Sequence, residues 1–364
     1  MPDFERRRER LRRRLRRAGV TGLLITDFTN VTYLTGFTGD DSYLLLTVGD
    51  TLLLSDFRFT QQLSEECPEL KTVIRTSGVS MIETLQRAVR SCKINRLGIE
   101  AGSMTVSLYQ QLSERLEGVE LVATTGEVEQ LREVKDREEI QAIRRAVDLA
   151  QRAFGVIRAA LRPEQTEKDL AAALEHQIRC FGGSGCSFTP IVGVGPRAAL
   201  PHAVLSDRQV GESDFVLVDW GARDALYVSD LTRMLVTAKI PPKLETVYQI
   251  VLQAQQAGID AIKPGVTMED VDAAARQVIE QAGYGKRFGH GLGHGIGLQV
   301  HEMPRLAAGQ KKPLKAGMVV TVEPGIYLPG WGGVRIEDDV LVTRSGREVL
   351  STLSREFADC VATP

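Results

Sequence analysis

The sequence predicts an α+β protein with two domains: an α/β layer at the N-terminus, followed by a larger domain made of a duplicated helix–sheet unit. Three observations predict this class. The chain has 364 residues, a length that favours about two domains. Short apolar runs alternate with helical patterns in the first third of the chain. In the remainder, a set of helix-start residues recurs at a constant offset, for example at Thr166 and Thr267.

The N-terminal domain is predicted to occupy residues 1–125. Its short apolar runs are typical of strands, and its helical segments place apolar residues three or four positions apart. A polar, charged segment at 126–136 is predicted to be a linker, and 137–364 the second domain. The elements predicted in the first domain are strands at 22–26, 43–47 and 51–55 and helices at 81–90 and 106–116.

The chain begins with a strongly basic segment, because residues 5–17 contain nine arginines. Phe4, Leu11, Leu15 and Ala18 fall at helical spacing, which predicts an amphipathic helix with one buried stripe. Arginines on such a helix are typical of a solvated face. The alternative is an anionic partner such as RNA or a membrane surface. Acidic residues at positions 3, 5 and 9 interrupt the positive charge and disfavour a mitochondrial transit peptide.

The second domain contains an internal repeat with an offset of 101 residues. Thr166 and Asp169 recur as Thr267 and Asp270, and the positions around them match as well. A threonine followed three residues later by an acid resembles a capping box, which starts a helix. Helix patterns at 137–161 and 244–262 precede the two copies, and strands and a histidine follow each copy. This shared order predicts a duplicated unit.

The glycine-rich stretch 289–297 contains two of the five histidines in the chain, His290 and His294. A third, His301, follows closely. So much glycine disfavours a helix, whereas alternating glycines in a strand allow a close backbone approach to substrate. Four carboxylates precede or follow this stretch: Asp219, Asp230, Glu323 and Glu337.

Strand pairing is predicted to bring these four acids together. Strands at 215–221 and 225–231 form a hairpin in which Asp219 faces Asp230, and strands at 319–323 and 334–340 place Glu323 opposite Glu337. Opposed side chains on one sheet face lie about 5 Å apart, so the like charges would repel each other without a counter-ion. One such acid alone favours a surface position. The four acids with His294 predict a metal site.

Four carboxylates and one imidazole form an oxygen-rich ligand set without cysteine, which suits Mn²⁺, Co²⁺ or Zn²⁺. Two such ions roughly 3.5 Å apart can share a hydroxide at neutral pH. The prediction is therefore two divalent metal ions per chain, with Mn²⁺ as the first choice and Co²⁺ or Zn²⁺ as alternatives.

Composition excludes several other classes. The net charge of −2 and the pI of about 6.3 give no general case for a nucleic-acid or membrane partner. Five cysteines without a CxxC motif favour a reduced, cytoplasmic protein. No apolar run approaches the length of about 18 residues that spans a bilayer, and the N-terminus has no apolar core like that of a signal peptide.

Several motifs of the chain occur together in one known family. In the first domain they are NVTYLTGFTG at 30–39 and DFRF at 56–59. In the second they are LPH at 200–202, VDWGA at 218–222, SDLTR at 229–233, FGHGLGHGIG at 288–297, VHE at 300–302, TVEPGIY at 321–327 and GVRIEDD at 333–339. With these motifs the chain resembles, over nearly its whole length, the pita-bread metallopeptidases that cleave next to proline: Xaa-Pro aminopeptidases and Xaa-Pro dipeptidases (prolidases). Departures are small, with Trp220 and Phe59 where Phe and Tyr are expected.

The resemblance implies a C-terminal pita-bread catalytic domain, an N-terminal creatinase-like domain and a homodimer. It also implies residue roles, in which Asp230 and Glu337 bridge the two metal ions. Glu323 accepts a proton from the attacking water, and Arg335 supports the ligands or steers substrate. The full implied set is Asp219, Asp230, His294, Glu323 and Glu337 as metal ligands, His202 and His301 as donors to the scissile carbonyl, and His290 in the proline pocket.

The resemblance leaves the length of the substrate open. A dipeptidase must bind the free carboxylate after proline, and an arginine binds carboxylates well. Arg305 lies four residues after His301, so it is a candidate for this role or else a surface residue. The other activities considered are those of a methionine aminopeptidase, a creatinase-like amidinohydrolase and a non-catalytic binding protein. The first does not need the N-terminal domain, and the other two do not need all five metal ligands.

Overall fold

The computed structural model describes residues 3–362, and the chain divides into two units between Arg132 and Glu133. The division falls inside the segment 126–136 predicted as a linker, and the exact domain limits stay a prediction. Each unit has its own sheets and its own buried core. None of the helices between residues 3 and 362 has both the length and the apolar character that crossing a membrane requires.

The N-terminal unit is built on a six-stranded mixed sheet. Its helices are α1 (Phe4–Ala18), α2 (Phe28–Thr35), α3 (Thr60–Glu66), α4 (Met81–Ser91), α5 (Val106–Arg115) and α6 (Glu129–Arg132). Its strands are β1 (Gly22–Ile25), β2 (Tyr43–Thr47), β3 (Thr51–Asp56), β4 (Lys71–Arg75), β5 (Arg96–Glu100) and β6 (Glu120–Thr124). The strand order is β4-β3-β2-β1-β5-β6, with β2 antiparallel to both neighbours and the other pairs parallel.

The five elements predicted in this unit are confirmed, with each end shifted by at most one residue. The elements that were not predicted have weak patterns. Strands β4 and β6 are the two edges of the sheet and are only partly buried, so they lack a run of apolar residues. Helix α2 contains three threonines and one valine among its eight residues, and these residue types favour strands over helices.

The arginine-rich helix α1 is present, but the expectation that its arginines form a solvated face is wrong for three of them. Arg7, Arg8 and Arg12 are buried. Arg7 Nη1 and Arg8 Nη1 each donate a 3.0 Å hydrogen bond to a carbonyl of the last turn of α2, those of Tyr33 and Leu34. The last carbonyls of a helix have no partner within it, so the two guanidinium groups cap α2. These arginines are therefore structural.

Between residues 133 and 362, the second unit contains two pairs of helices and four small sheets. Its helices are α7 (Arg137–Ala159), α8 (Glu167–Cys180), α9 (Pro242–Ala261) and α10 (Met268–Gln281). Its strands are β7 (Gly185–Cys186), β8 (Ile191–Val194), β9 (Phe215–Trp220), β10 (Ala222–Asp224), β11 (Tyr227–Val228), β12 (Leu231–Val236), β13 (Gly293–Gly295), β14 (Glu302–Leu306), β15 (Val319–Val322), β16 (Gly325–Leu328), β17 (Gly332–Arg335), β18 (Asp338–Val342) and β19 (Arg347–Val349). A 3-10 turn at Gly195–Ala199 follows β8.

The predicted duplication is confirmed. Helices α8 and α10 both begin after a threonine whose side chain accepts a hydrogen bond from the backbone N–H three residues later, at Asp169 (3.1 Å) and Asp270 (3.2 Å). Helices α7 and α8 pack on the sheet β12-β9-β8, whereas α9 and α10 pack beside the sheet β14-β13-β15-β18-β19. Each half therefore buries one helix pair against one antiparallel sheet.

The two predicted hairpins differ in outcome. The register that places Glu323 opposite Glu337 is confirmed. The strand pairs β15–β18 and β16–β17 lie on either side of these two residues, and both pairs follow this register. The hairpin that pairs Asp219 with Asp230 is wrong, because Asp219 lies opposite Thr232. The short pair β10–β11 is inserted between β9 and β12 and moves Asp230 just outside the ladder.

The buried arginines of α1 give a stability prediction with a matched control. Arg12 Nε donates to Thr47 O (3.0 Å) and its Nη2 to Thr51 Oγ1 (2.6 Å), whereas Arg13 is exposed on the same helix. We expect Arg12→Ala to lower the free energy of unfolding by about 1–3 kcal/mol, because buried acceptors lose their donor. Arg13→Ala should change it by less than about 0.5 kcal/mol. Urea unfolding measures both, and equal effects would contradict a structural role for Arg12.

Candidate metal centre

The five predicted ligands all line one cleft in the second unit, and each lies in or next to a strand. Asp219 is in β9, Asp230 directly precedes β12, and His294 is in the middle of β13. Glu323 directly follows β15, and Glu337 lies between β17 and β18. Both halves of the duplication therefore contribute ligands.

Three of these residues form a tight group. One ligand atom each from Asp230, His294 and Glu337 lies within 4.8 Å of the other two. His294 Nε2 is also 3.2 Å from Glu323 Oε1 and 3.8 Å from Asp230 Oδ2. Asp219 shares the cleft and raises the pKa of Asp230 by charge repulsion, in addition to the larger effect of burial.

The His294 ring is held so that Nε2 faces the acids. Its Nδ1 lies 3.1 Å from the carbonyl oxygen of Gly295. A carbonyl can only accept, so Nδ1 carries the hydrogen, and in the neutral ring Nε2 has the free lone pair. This is the arrangement found in histidines that bind metal through Nε2.

Glycines beside His294 make room for neighbouring strands. At Gly293 and Gly295 a Cβ atom would overlap backbone atoms of Thr321 and Met303. At these two positions, strands of the protein itself take the space beside the glycine. Gly289, Gly291 and Gly293 line the cleft, so the expected close approach of substrate to this stretch stays a prediction. Close strand packing brings His294 next to Glu323.

Polar residues two positions away from the ligands support them. Thr321 donates to Glu323 Oε1 (3.2 Å) and accepts from the His294 N–H (3.0 Å), and Thr232 donates to Glu337 Oε2 (2.6 Å). Asp339 Oδ2 accepts from the N–H of Asp230 (3.1 Å). Side chains two apart on a strand share a face. Thr232, Thr321 and Asp339 were given no role from the sequence, although this spacing indicates them.

Arg335 is buried beneath the ligands. Its Nη2 donates to Asp219 Oδ2, its Nη1 to the hydroxyl of Tyr327 (2.9 Å) and its Nε to Thr232 Oγ1 (3.1 Å). All three nitrogens thus have partners within the protein. This placement favours support of the ligands, and a direct contact with substrate stays a prediction.

His290 lies at the end of the same chain of hydrogen bonds. Its Nδ1 donates to the carbonyl of Gly291 (2.8 Å), and its Nε2 lies 3.0 Å from the hydroxyl of Tyr327. That hydroxyl accepts from Arg335, so it donates to His290. Both ring nitrogens are therefore used. This arrangement disfavours His290 as a metal ligand and leaves its ring as a wall of the cleft.

The environment of the acids disfavours the ionised form of most of them. Burial raises the pKa of Asp219, Asp230 and Glu337, and repulsion between the acids adds to the effect. Burial opposes a charged imidazole, but Glu323 outweighs it and raises the pKa of His294. A proton between His294 and Glu323 and a cation bound to both are alternative ways of neutralising this pair.

The donor set fits divalent cations. Asp219 Oδ1 and Asp230 Oδ1 are buried and, among the described residues, have no hydrogen-bond partner. A buried acceptor without a hydrogen-bond partner lowers the stability of the folded protein. Metal binding would satisfy both atoms and offset the repulsion between the carboxylates. Oxygen donors with one imidazole suit hard or borderline divalent ions.

Two further histidines and an arginine line the open part of the cleft. The His301 ring lies 4.3 Å from the His294 ring, measured between centroids, and is exposed. His202 is exposed in the loop after the Gly195–Ala199 turn. Arg305 lies directly opposite His294 in the pairing of β14 with β13. The structure thus brings all the predicted site residues to one cleft of 1140 Å³.

Two family models match the chain. Residues 141–344 match metallopeptidase family M24, and residues 7–134 match the creatinase/prolidase N-terminal domain. The chain belongs to metallopeptidase family M24. The second unit therefore has the pita-bread fold, with a creatinase-type domain before it, as predicted.

Individual relatives cover almost the full length. An uncharacterized peptidase of Bacillus subtilis is 40% identical, over 96% of this chain and 98% of its own. The structure is similar to that of an Xaa-Pro dipeptidase from Bacillus anthracis, with a TM-score of 0.94, 38% identity and coverage of 97% and 99% of the two chains. It is also similar to an X-Pro aminopeptidase from Thermotoga maritima, with a TM-score of 0.88, 36% identity and coverage of 96% and 100%.

We predict that Asp219→Asn lowers the metal content of the protein. An amide has no charge to offset a dication, although its oxygen can still accept from Arg335. The number of Mn²⁺ ions bound per chain after loading and desalting, measured by mass spectrometry, should fall. Asp207→Asn replaces an acid whose side chain is 82% exposed and should leave it unchanged. An unaltered metal content in Asp219→Asn would contradict its assignment as a ligand.

Proposed function

We propose that this metallopeptidase hydrolyses the Xaa-Pro bond at the N-terminus of dipeptides or short peptides. Two divalent cations, with Mn²⁺ as the first choice and Co²⁺ or Zn²⁺ as alternatives, would be held by Asp219, Asp230, His294, Glu323 and Glu337. The observation that carries the proposal is the convergence of these five side chains, with two orphaned carboxylate oxygens, in one cleft. The names of similar proteins, an Xaa-Pro dipeptidase and an X-Pro aminopeptidase, support the choice of bond.

When bound, the cations would supply a water acidic enough to ionise near neutral pH. Glu323 is the proposed acceptor of its proton, because Oε1 of Glu323 faces the cleft beside His294. His301 and His202 are proposed to donate hydrogen bonds to the carbonyl oxygen as negative charge develops on it. His290 lines the cleft as part of the proposed proline pocket, where Tyr327 fixes its ring.

The cleft carries evidence for both short and longer substrates. Its volume of 1140 Å³ is larger than the roughly 300–1,000 Å³ typical of small-molecule pockets, which leaves room for peptide beyond proline. Arg305 is exposed in the cleft and faces the side of the sheet that carries His294, where it can reach a free carboxylate. The proposal includes both substrate lengths. A homodimer and a cytoplasmic location are further parts of it.

The decisive experiment is an assay of metal-loaded and metal-depleted protein on Xaa-Pro, Xaa-Pro-Yaa and Xaa-Ala peptides. We expect chelation to abolish hydrolysis of proline peptides and Mn²⁺ or Co²⁺ to restore it, because the acids need cations to activate water. Cleavage of Xaa-Ala should be much slower. Full activity in a metal-free sample, or equal cleavage of Xaa-Ala, would contradict the proposal.

Arg305→Ala tests substrate length. If Arg305 binds the carboxylate of a dipeptide, the variant should raise the KM for Xaa-Pro and leave Xaa-Pro-Yaa nearly unchanged, because lost ground-state binding appears mainly in KM. Arg344→Ala, at another exposed arginine outside the cleft, is the control and should change neither. Equal effects on both peptides, or none on either, would remove Arg305 from the carboxylate site.

A further inference from the structure

The second unit contains a buried carboxylate that the metal centre does not use. Glu167 is the first residue of α8, and its exposed fraction is 0%. An ionised side chain is rarely buried so fully unless it is paired and hydrogen-bonded. Its partners therefore indicate what the fold needs it for.

Both oxygens of Glu167 bind the segment that carries His202. Oε1 accepts from the backbone N–H of Val194 (3.0 Å) and from Arg197 Nε (2.8 Å). Oε2 accepts from Arg197 Nε (3.0 Å), from the Ser206 N–H (2.9 Å) and from the Ser206 hydroxyl (2.8 Å). One carboxylate thus joins the beginning and the end of residues 194–206.

Arg197 makes a second link across this segment. Its Nη2 donates to the carbonyl of Val204, while its Nε is held by Glu167. His202 lies between these attachment points. Leu200 and Val204, two residues on either side of it, are 49% and 83% exposed, and of the adjacent residues only the small side chain of Ala203 is buried. Side-chain packing therefore contributes little to fixing the loop there.

The His202 ring itself makes no hydrogen bond to any other residue in the range 3–362. Its place in the cleft therefore depends on the backbone. The upstream end has independent support, because the Gly195–Ala199 turn packs tightly against Gly193 and Gly333. The downstream end, from Val204 to Ser206, is held by Glu167 and Arg197.

We propose that Glu167 and Arg197 are positioning residues that hold His202 over the metal centre. The inference rests on the proposed function, in which His202 donates to the scissile carbonyl. A carboxylate is needed because Glu167 has only acceptors, and all four of its partner groups are donors. A glutamine of the same size turns one oxygen into a donor, which would face the N–H groups of the loop.

The first test compares Glu167→Gln with Glu164→Gln, an exposed glutamate three residues earlier. We expect Glu167→Gln to retain its metal content, because no metal ligand lies in residues 194–206. Its kcat on Xaa-Pro should fall by about 10²-fold, as for a misplaced catalytic group, with a smaller change in KM. Glu164→Gln should match the wild type. Wild-type kcat in Glu167→Gln would overturn the proposal.

A double-mutant cycle separates positioning of His202 from general weakening of the fold. If Glu167 acts through His202, Glu167→Gln should cost little more when His202→Ala is already present. If Glu167→Gln instead weakens the fold in general, the fold-decreases in kcat caused by the two substitutions should multiply in the double mutant. Full additivity on the free-energy scale, or loss of metal in Glu167→Gln, would overturn the proposal.

A measurement without catalysis makes the outcome independent of the proposed function. Hydrogen exchange followed by mass spectrometry should show faster exchange in peptides covering 200–206 for Glu167→Gln than for Glu164→Gln. If Glu167→Gln does not fold, Arg197→Met can replace it, because this variant leaves the contacts between Ser206 and Glu167 in place. It should also increase the rate of exchange in the same peptides. Unchanged exchange in this loop would overturn the positioning role. If Glu167→Gln alters exchange in this loop but the wild-type protein does not cleave Xaa-Pro, the positioning role stands and only the proposed function is rejected.

Discussion

The contact between Thr232 and Glu337 joins the two halves of the candidate metal centre, and the other interactions of the site depend on it. The carbonyl of Thr232 accepts from the Glu337 N–H (3.2 Å), and its hydroxyl donates to the Glu337 carboxylate and accepts from Arg335. Asp219 lies opposite Thr232 in the pairing of β9 with β12. One backbone bridge therefore sets the distance between an acid of the first half and an acid of the second.

This junction brings acidic side chains together in a largely buried part of the cleft. Neutral partners relieve part of the repulsion, and Arg335 supplies one positive charge to Asp219. Threonine hydroxyls donate to one oxygen each of Glu323 and Glu337, and Asp339 accepts from the backbone N–H of Asp230. Because these supports belong to strands, the five proposed ligands are held in place by the protein itself, and binding of a cation would need little rearrangement. The open rim of the cleft, with His202, His301 and Arg305, is fixed more loosely by loops and an exposed strand position.

Local patterns predicted much of this structure and failed where distant partners decide. Thr166 and Thr267 revealed the duplication because a capped helix start is a local signal. The Glu323–Glu337 register was predictable because one glycine-rich turn sets it. The β10–β11 pair, which shifts Asp230, was not predictable because its few residues show no clear strand pattern in the sequence. The burial of Arg7 and Arg8 depends on carbonyls of α2, and that of Glu167 on Arg197 and Ser206. Periodicity carries no information about such long-range donors and acceptors.

The alternation of side chains at the start of β18 and at Glu337 just before it limits how this protein can diverge. Glu337 and Asp339 face the metal centre, while Asp338 between them faces the other way and binds Arg233 at 2.7 Å. Inserting or deleting one residue here would exchange the two faces, turning the Arg233 partner into the cleft and the proposed metal ligand Glu337 away from it. A change of length is therefore tolerated more readily in a turn, such as 329–331 between β16 and β17, than at residues 337–339.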